Sequence, residues 1–442
     1  MQIQLSEHFN YNKLLRFTLP SIIMMVFTSL YSIVDGFFVS NFVGKTPFAS
    51  VNLIMPFIMI VSSIGFMFGT GGSALVSKSM GEGKSDKAQQ FFSLFIYCTM
   101  ISGTIIAIIG FIFIHPIALL LGAKGVLLDN CVIYGRILLI VLPLYMLQFE
   151  FQSFFITISK PQLGLIVTLI CGITNIILDA LFIAVFSWGL VGAAVATAIS
   201  ILLGGGIPII YFIKSKNSSL HLTKTKFDGK ALLKACINGS SELMSNISTS
   251  IVSMLYNFQL IKYIGENGIA AYGVLMYVNM IFISVFIGYA TGTAPIISYH
   301  YGAKNHTEMK GLLKKSLVII GIFAISMFVM AELSAKLLAG IFVSYDTNLM
   351  TITIRAFRIY SFSFLFASIA IYGSSFFTTL NDGVTSALIS FLRSLFFQLA
   401  AVLILPILLG VDGIWLSIVI AEFAAALMTA FFIFIKKKKY QY

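Results

Sequence analysis

Long apolar runs separated by short polar stretches recur along the whole chain, and the pattern is that of membrane spans. A helix needs about 20 predominantly apolar residues to cross the hydrocarbon of a bilayer. Twelve runs reach that length, at 14–40, 51–76, 91–114, 131–154, 163–187, 191–213, 236–262, 268–296, 314–336, 350–375, 387–409 and 414–435. The longest hydrophilic stretch, 214–234, lies at the midpoint and opens Lys214-Ser215-Lys216-Asn217-Ser218-Ser219. It reads as a cytoplasmic linker between an N-lobe, 1–213, with spans 1–6, and a C-lobe, 235–442, with spans 7–12 and a basic tail.

Sliding one half onto the other by 221 residues, half the chain, tests for duplication. Gly44 then meets Gly265, Gly81 meets Gly302, Gly189 meets Gly410, Ser153 meets Ser374 and Phe155 meets Phe376, all without a gap. A single offset that aligns loops and span ends throughout indicates an internal repeat. Six spans are an even number, so both halves enter the membrane in the same sense. The expected fold is an all-α integral membrane protein, with two parallel, pseudo-symmetric six-helix bundles around a central cavity, an arrangement used by transporters.

Composition agrees: 59% of residues are hydrophobic and 10% charged, with a mean hydropathy of +0.99, whereas soluble domains carry about 25% charged residues. The net charge of +12 follows from loop charge, not from nucleic-acid binding. Of the 28 Lys and Arg residues, 20 lie on the side of the chain ends, so the positive-inside rule puts both termini in the cytoplasm and the protein in the cell membrane. Met1 to Asn12 is polar and the first apolar run is too long for a signal peptide, so no cleaved leader is expected. The cysteines Cys98, Cys131, Cys171 and Cys236 stand singly and read as small hydrophobes.

Against this background, acids inside spans are conspicuous, since a charge at the bilayer centre costs roughly 2.5–3.5 kcal/mol on insertion scales. Asp35 lies in Ser32-Ile33-Val34-Asp35-Gly36 of span 1. Asn175 and Asp179 stand at i and i+4 in span 5, on one face, and Thr197 lies in span 6. Under the 221-residue offset their counterparts are Tyr256, Phe396, Ala400 and Ile418, so the polar set belongs to the N-lobe alone. Depth allows all four to meet. Two carboxylates, an amide and a hydroxyl suit a hard cation such as Na⁺, and paired acids also take up H⁺. The alternative is a hydrogen-bonded clamp tying spans 1, 5 and 6 together. Pro20, fifteen residues before Asp35, is expected to kink span 1, either statically or as a hinge coupled to Asp35.

The chain resembles the multidrug and toxic compound extrusion (MATE) family over nearly its whole length. The resemblance rests on the two six-span halves, Leu19-Pro20 and Val34-Asp35-Gly36, Asn175-x-x-x-Asp179, and Gly189-Leu190-Val191-Gly192-Ala193-Ala194-Val195-Ala196-Thr197. It implies a secondary-active antiporter, without cofactor and monomeric, that exchanges Na⁺ or H⁺ for small organic, often cationic and amphipathic compounds by alternating access. In several members the positions of Asp35, Asn175, Asp179 and Thr197 form a cation site, and the proline matching Pro20 bends span 1. Some members also carry acids in the C-lobe cavity, where this chain has few.

Glu242, near the start of span 7, and Glu422, in span 12, are the remaining candidates for cavity acids, although Glu242 is close enough to the interface to be merely solvated. Arg393 in span 11 is placed to pair with one of them or to snorkel to the headgroups. Glu150 and Gln152 are candidates for lining the N-lobe pathway. The rival function is a flippase of lipid-linked saccharides from the same broad superfamily, but such proteins often have extra spans and a basic cavity. An enzyme is not expected: the five histidines lie in tails, loops or span ends, and neither an HExxH motif nor a GxxxxGK[ST] phosphate loop occurs.

Overall fold

The computed structural model describes residues 3–215, 219–343 and 346–442, and among them every regular element is helical. The expected linker's Lys216, Asn217 and Ser218 lie outside the described residues. The N-terminal half contains α1 (Tyr11–Phe38), α2 (Lys45–Gly81), α3 (Ser85–Leu120), α4 (Val126–Ile140), α5 (Leu142–Thr157), α6 (Pro161–Asp179) and α7 (Gly189–Lys214). The other half contains α8 (Gly229–Tyr263), α9 (Glu266–Gly302), α10 (His306–Val343), α11 (Thr347–Ser361), α12 (Ser363–Thr379), α13 (Gly383–Phe391), α14 (Phe397–Leu409) and α15 (Val411–Tyr440). The duplication survives as geometry. Helices α2 and α9 have bounds 221 residues apart at both ends, and Gly44 and Gly265, which precede them, both have positive φ, at 118° and 80°.

Among the described residues, nine helices are long and apolar enough to cross a membrane, and two bent pairs bring the number to eleven. The protein is therefore a multi-pass membrane protein. The pairs, α4 with α5 (58°) and α11 with α12 (46°), are the fourth span of each half. The first break falls where Pro143 opens α5, because proline cannot donate to the preceding turn. At the second, the Ser361 hydroxyl bonds the Arg358 carbonyl at 2.8 Å and Glu332 at 2.5 Å, competing with the helix ladder. The expected run 236–262 forms α8, which is 35 residues long but carries Ser240, Ser241, Glu242, Ser245 and Asn246, and so falls short in apolarity.

Away from the chain ends, each half has a core of its own, one built around Ile54, Tyr134 and Leu139, the other around Tyr256, Phe286 and Trp415. Toward the face that carries both chain ends, the halves interlock. Gly71 and Gly239 bring α2 and α8 backbone to backbone, and Gly81 and Gly302 do the same for α2 and α9; a Cβ at any of them would overlap a facing carbonyl oxygen. The terminal segment adds to this seam. The Phe9 N–H and His8 Nδ1 bond the Glu308 carboxylate at 2.9 and 2.6 Å, and Lys315 reaches the Phe9 carbonyl. The described part of the expected linker is docked on α3. The N–H groups of His221 and Thr223 donate to Gln89 and Ser93 of α3 at 3.1 and 3.0 Å, Leu220 is fully buried, and α8 starts at Gly229, inside the expected loop.

Candidate functional site

Both acids sit where an α-helix gives way to a π turn. Asp35 lies one turn before the π turn Val39–Val43, and the Val39 N–H is shared between the carbonyls of Asp35 and Gly36. Asp179 is the last residue of α6, and the π turn Ala180–Val185 follows at once. Such turns widen the backbone, redirect side chains and recur at functional sites. Asn175 stands one turn before Asp179, and Thr197 two turns into α7.

The structure brings these side chains together: the Asp35 carboxyl neighbours both the Asp179 carboxyl and the Thr197 hydroxyl. Asp179 is fully buried and Asn175 is 2% exposed. Yet no aligned hydrogen bond reaches Asp35 Oδ1, Asn175 Nδ2, either Asp179 oxygen or Thr197 Oγ1 among the described residues. Buried polar atoms are nearly always paired, and an unpaired one costs about 1–3 kcal/mol. Four of the five are oxygens, on Asp35, Asp179 and Thr197, and form a ligand set that a small hard cation or a shared proton would satisfy, whereas Asn175 Nδ2 is an N–H donor that calls for an acceptor. The chemistry of this set fits either ion. No group of three or more His, Cys, Asp or Glu gathers among the described residues.

Three tyrosines surround the acids and were missed by sequence reasoning. Tyr134 of α4 lies beside Thr197 and Tyr31 beside Gln148, and both, with Tyr145, are within electrostatic reach of Asp35. Their signal was faint, a phenol inside an apolar run, which also fits ordinary packing. At the equivalent place in the other half, Tyr256 donates to Gln398 at 3.2 Å and stacks on Tyr272, a neutral and self-satisfied arrangement.

The other expected residues lie elsewhere. Pro20 is buried within α1, which continues through it as one helix, and the neighbouring Ser21 and Ile22 meet Gly288 of α9. Glu150 is fully buried beside Thr99 with both oxygens unpaired, and Gln152 donates to Thr168 at 3.5 Å; neither joins the Asp35 cluster. Glu422 accepts from Arg393 Nε at 2.8 Å, so Arg393 pairs inside the bundle rather than snorkelling, and Glu242 faces a cavity between the halves.

A duplicated bundle of membrane helices with a cavity between its halves is the architecture of a membrane transporter. The MatE family profile matches residues 20–181 and again 243–404, and the chain belongs to that family. It is 25% identical over 434 residues to the multidrug export protein MepA of Staphylococcus saprophyticus, covering 96% of this chain and 94% of the relative. The fold superposes on an outward-facing multidrug resistance MATE transporter of the MOP superfamily with a TM-score of 0.92 at 23% identity, covering 99% of this chain and 98% of the other. It superposes equally well, at 0.92 and 21% identity, on a MATE in the straight conformation, again covering 99% and 98%.

Proposed function

We propose that this protein is a secondary-active multidrug antiporter of the cell membrane. It works as a monomer with both termini in the cytoplasm, and expels small organic compounds in exchange for Na⁺ or H⁺. The four unsatisfied oxygens on Asp35, Asp179 and Thr197, with Asn175 one turn from Asp179, carry the reading; the multidrug export proteins among its relatives support the cargo. The coupling ion supplies the positive charge that this donor set lacks. Loading it from outside favours one arrangement of the two lobes, and substrate favours the other, since coupling needs each ligand to bind the two states unequally. Pro20, at the α1–α9 contact, is the hinge through which occupancy of Asp35 is felt by the seam.

The test is efflux of a fluorescent organic cation from proteoliposomes under a Na⁺ gradient or a pH gradient, imposed separately. Asp35→Asn and Asp179→Asn are expected to abolish gradient-driven efflux while the purified protein stays folded. Efflux that survives both substitutions overturns the assignment of the site.

A further inference from the structure

The cavity between the halves carries a charge that the cation-export reading leaves unused. Its wall includes Arg393 and Glu242, with hydroxyls of Thr70, Ser245 and Ser390, and it encloses about 110 Å³. That volume takes the polar end of a ligand, since drug-sized pockets run to about 300–1,000 Å³.

We infer that Arg393 is an oxyanion-recognising subsite, so that substrates with a carboxylate, sulfonate or phosphate beside their cationic group are held by Arg393 at one end and Glu242 at the other. This rests on the reading of the chain as an exporter of organic compounds, and names a substrate class for it. Three observations converge. First, Glu422 occupies only Nε of the guanidinium, at 2.8 Å, and no other protein group accepts from Arg393 among the described residues. Arg393 side chain is 19% exposed and lines the cavity. A guanidinium with its terminal nitrogens open is the side chain best shaped for a two-oxygen anion. Second, Arg393 lies in the π turn Leu392–Phe396 between α13 and α14, so this half, too, widens its helix at its charged centre. Third, Glu422 is only 6% exposed at its side chain and bonds the guanidinium without itself lining the cavity. It neutralises the cost of burying the cation and fixes its direction.

A matched dye pair separates this role from a structural one. A rhodamine with a free carboxylate is a zwitterion, whereas its ethyl ester is a cation only. Binding of each to the purified full-length chain is read by fluorescence polarisation, with Arg393→Gln, Arg393→Lys and the double variant Arg393→Gln/Glu422→Gln, which leaves no unpaired acid behind. Arg393→Gln and the double variant are expected to weaken the acid dye at least about tenfold while the ester changes little, and Arg393→Lys to recover part of the loss. Equal losses for both dyes, or no loss for either, overturn the inference. If the acid dye binds through Arg393 yet no ion gradient moves it in proteoliposomes, the subsite stands and the antiporter reading falls.

Discussion

Asp382, in the turn before α13, shows what a satisfied acid looks like in this protein. It accepts from Lys436 Nζ at 2.9 Å and Tyr440 Oη at 2.8 Å, and caps the N-terminus of α13 through the Thr385 N–H at 3.4 Å. Burial by itself would raise this carboxyl, but Lys436, Tyr440 and Thr385 outweigh it and hold the group below its ordinary value of 3.8. Because the folded state binds the proton more weakly than the unfolded one, the acid's contribution is complete above the ordinary value and is lost as pH falls through the lower, folded value. Asp382→Asn should therefore lower the melting temperature at pH 7 and flatten its decline below about pH 4, a cost of about 2 kcal/mol for charge-assisted bonds. An unchanged acid limb in a thermal-shift series would sink this account. Asp35 and Asp179 were legible as exceptions to a repeat, because Tyr256 and Ala400 stand in their places. The link of Arg393 to Glu422 was legible only as one of three options, beside pairing with Glu242 and snorkelling, because a contact between spans depends on helix rotation, which apolar periodicity leaves open inside a bundle.

Helix α8 carries the lesson at the scale of the element. Its polar residues dilute the apolar signal because part of its surface faces α2 and the cavity instead of lipid, so composition understates its place in the bundle. Gly239 sits at that contact, where any side chain would overlap the Met67 carbonyl. Gly239→Val should push α2 and α8 apart at the face of the chain ends and expose Cys236, one turn away. With the other three cysteines replaced, labelling of Cys236 by a membrane-impermeant maleimide from that face should rise several-fold over the same background with Gly239 intact. Unchanged labelling would mean that the seam does not depend on this glycine. The bends were invisible in the apolar pattern, since a run such as 131–154 reads the same whether straight or broken; Pro143 alone hinted at the first.

For the whole molecule, the proposed alternating-access cycle requires the α1–α9 contact to open and close. Ser29 and Ser284 hydroxyls meet there at 2.5 Å. Replacing both by cysteine should allow a disulfide that joins the halves, stopping efflux under oxidising conditions and restoring it on reduction, while ion binding at Asp35 persists. Efflux unaffected by a verified crosslink would show that α1 and α9 do not separate during transport. The two-lobed plan was readable from a single 221-residue offset. The interlocking near the chain ends was not, because glycines that permit backbone contact look the same in a sequence as glycines that merely end helices.

The seating of the first residues among the last has a consequence for how the protein is made. Leu5, Phe9 and Phe17 are buried in one core with Tyr289, Met309, Tyr372 and the final Tyr440 and Tyr442. At about 5–20 residues per second, a ribosome takes roughly 20–90 s to reach the last of those partners after passing Phe9. Throughout that interval Leu5, Phe9 and Phe17 wait unhoused at the membrane surface, and this core closes only once the end of α15 arrives.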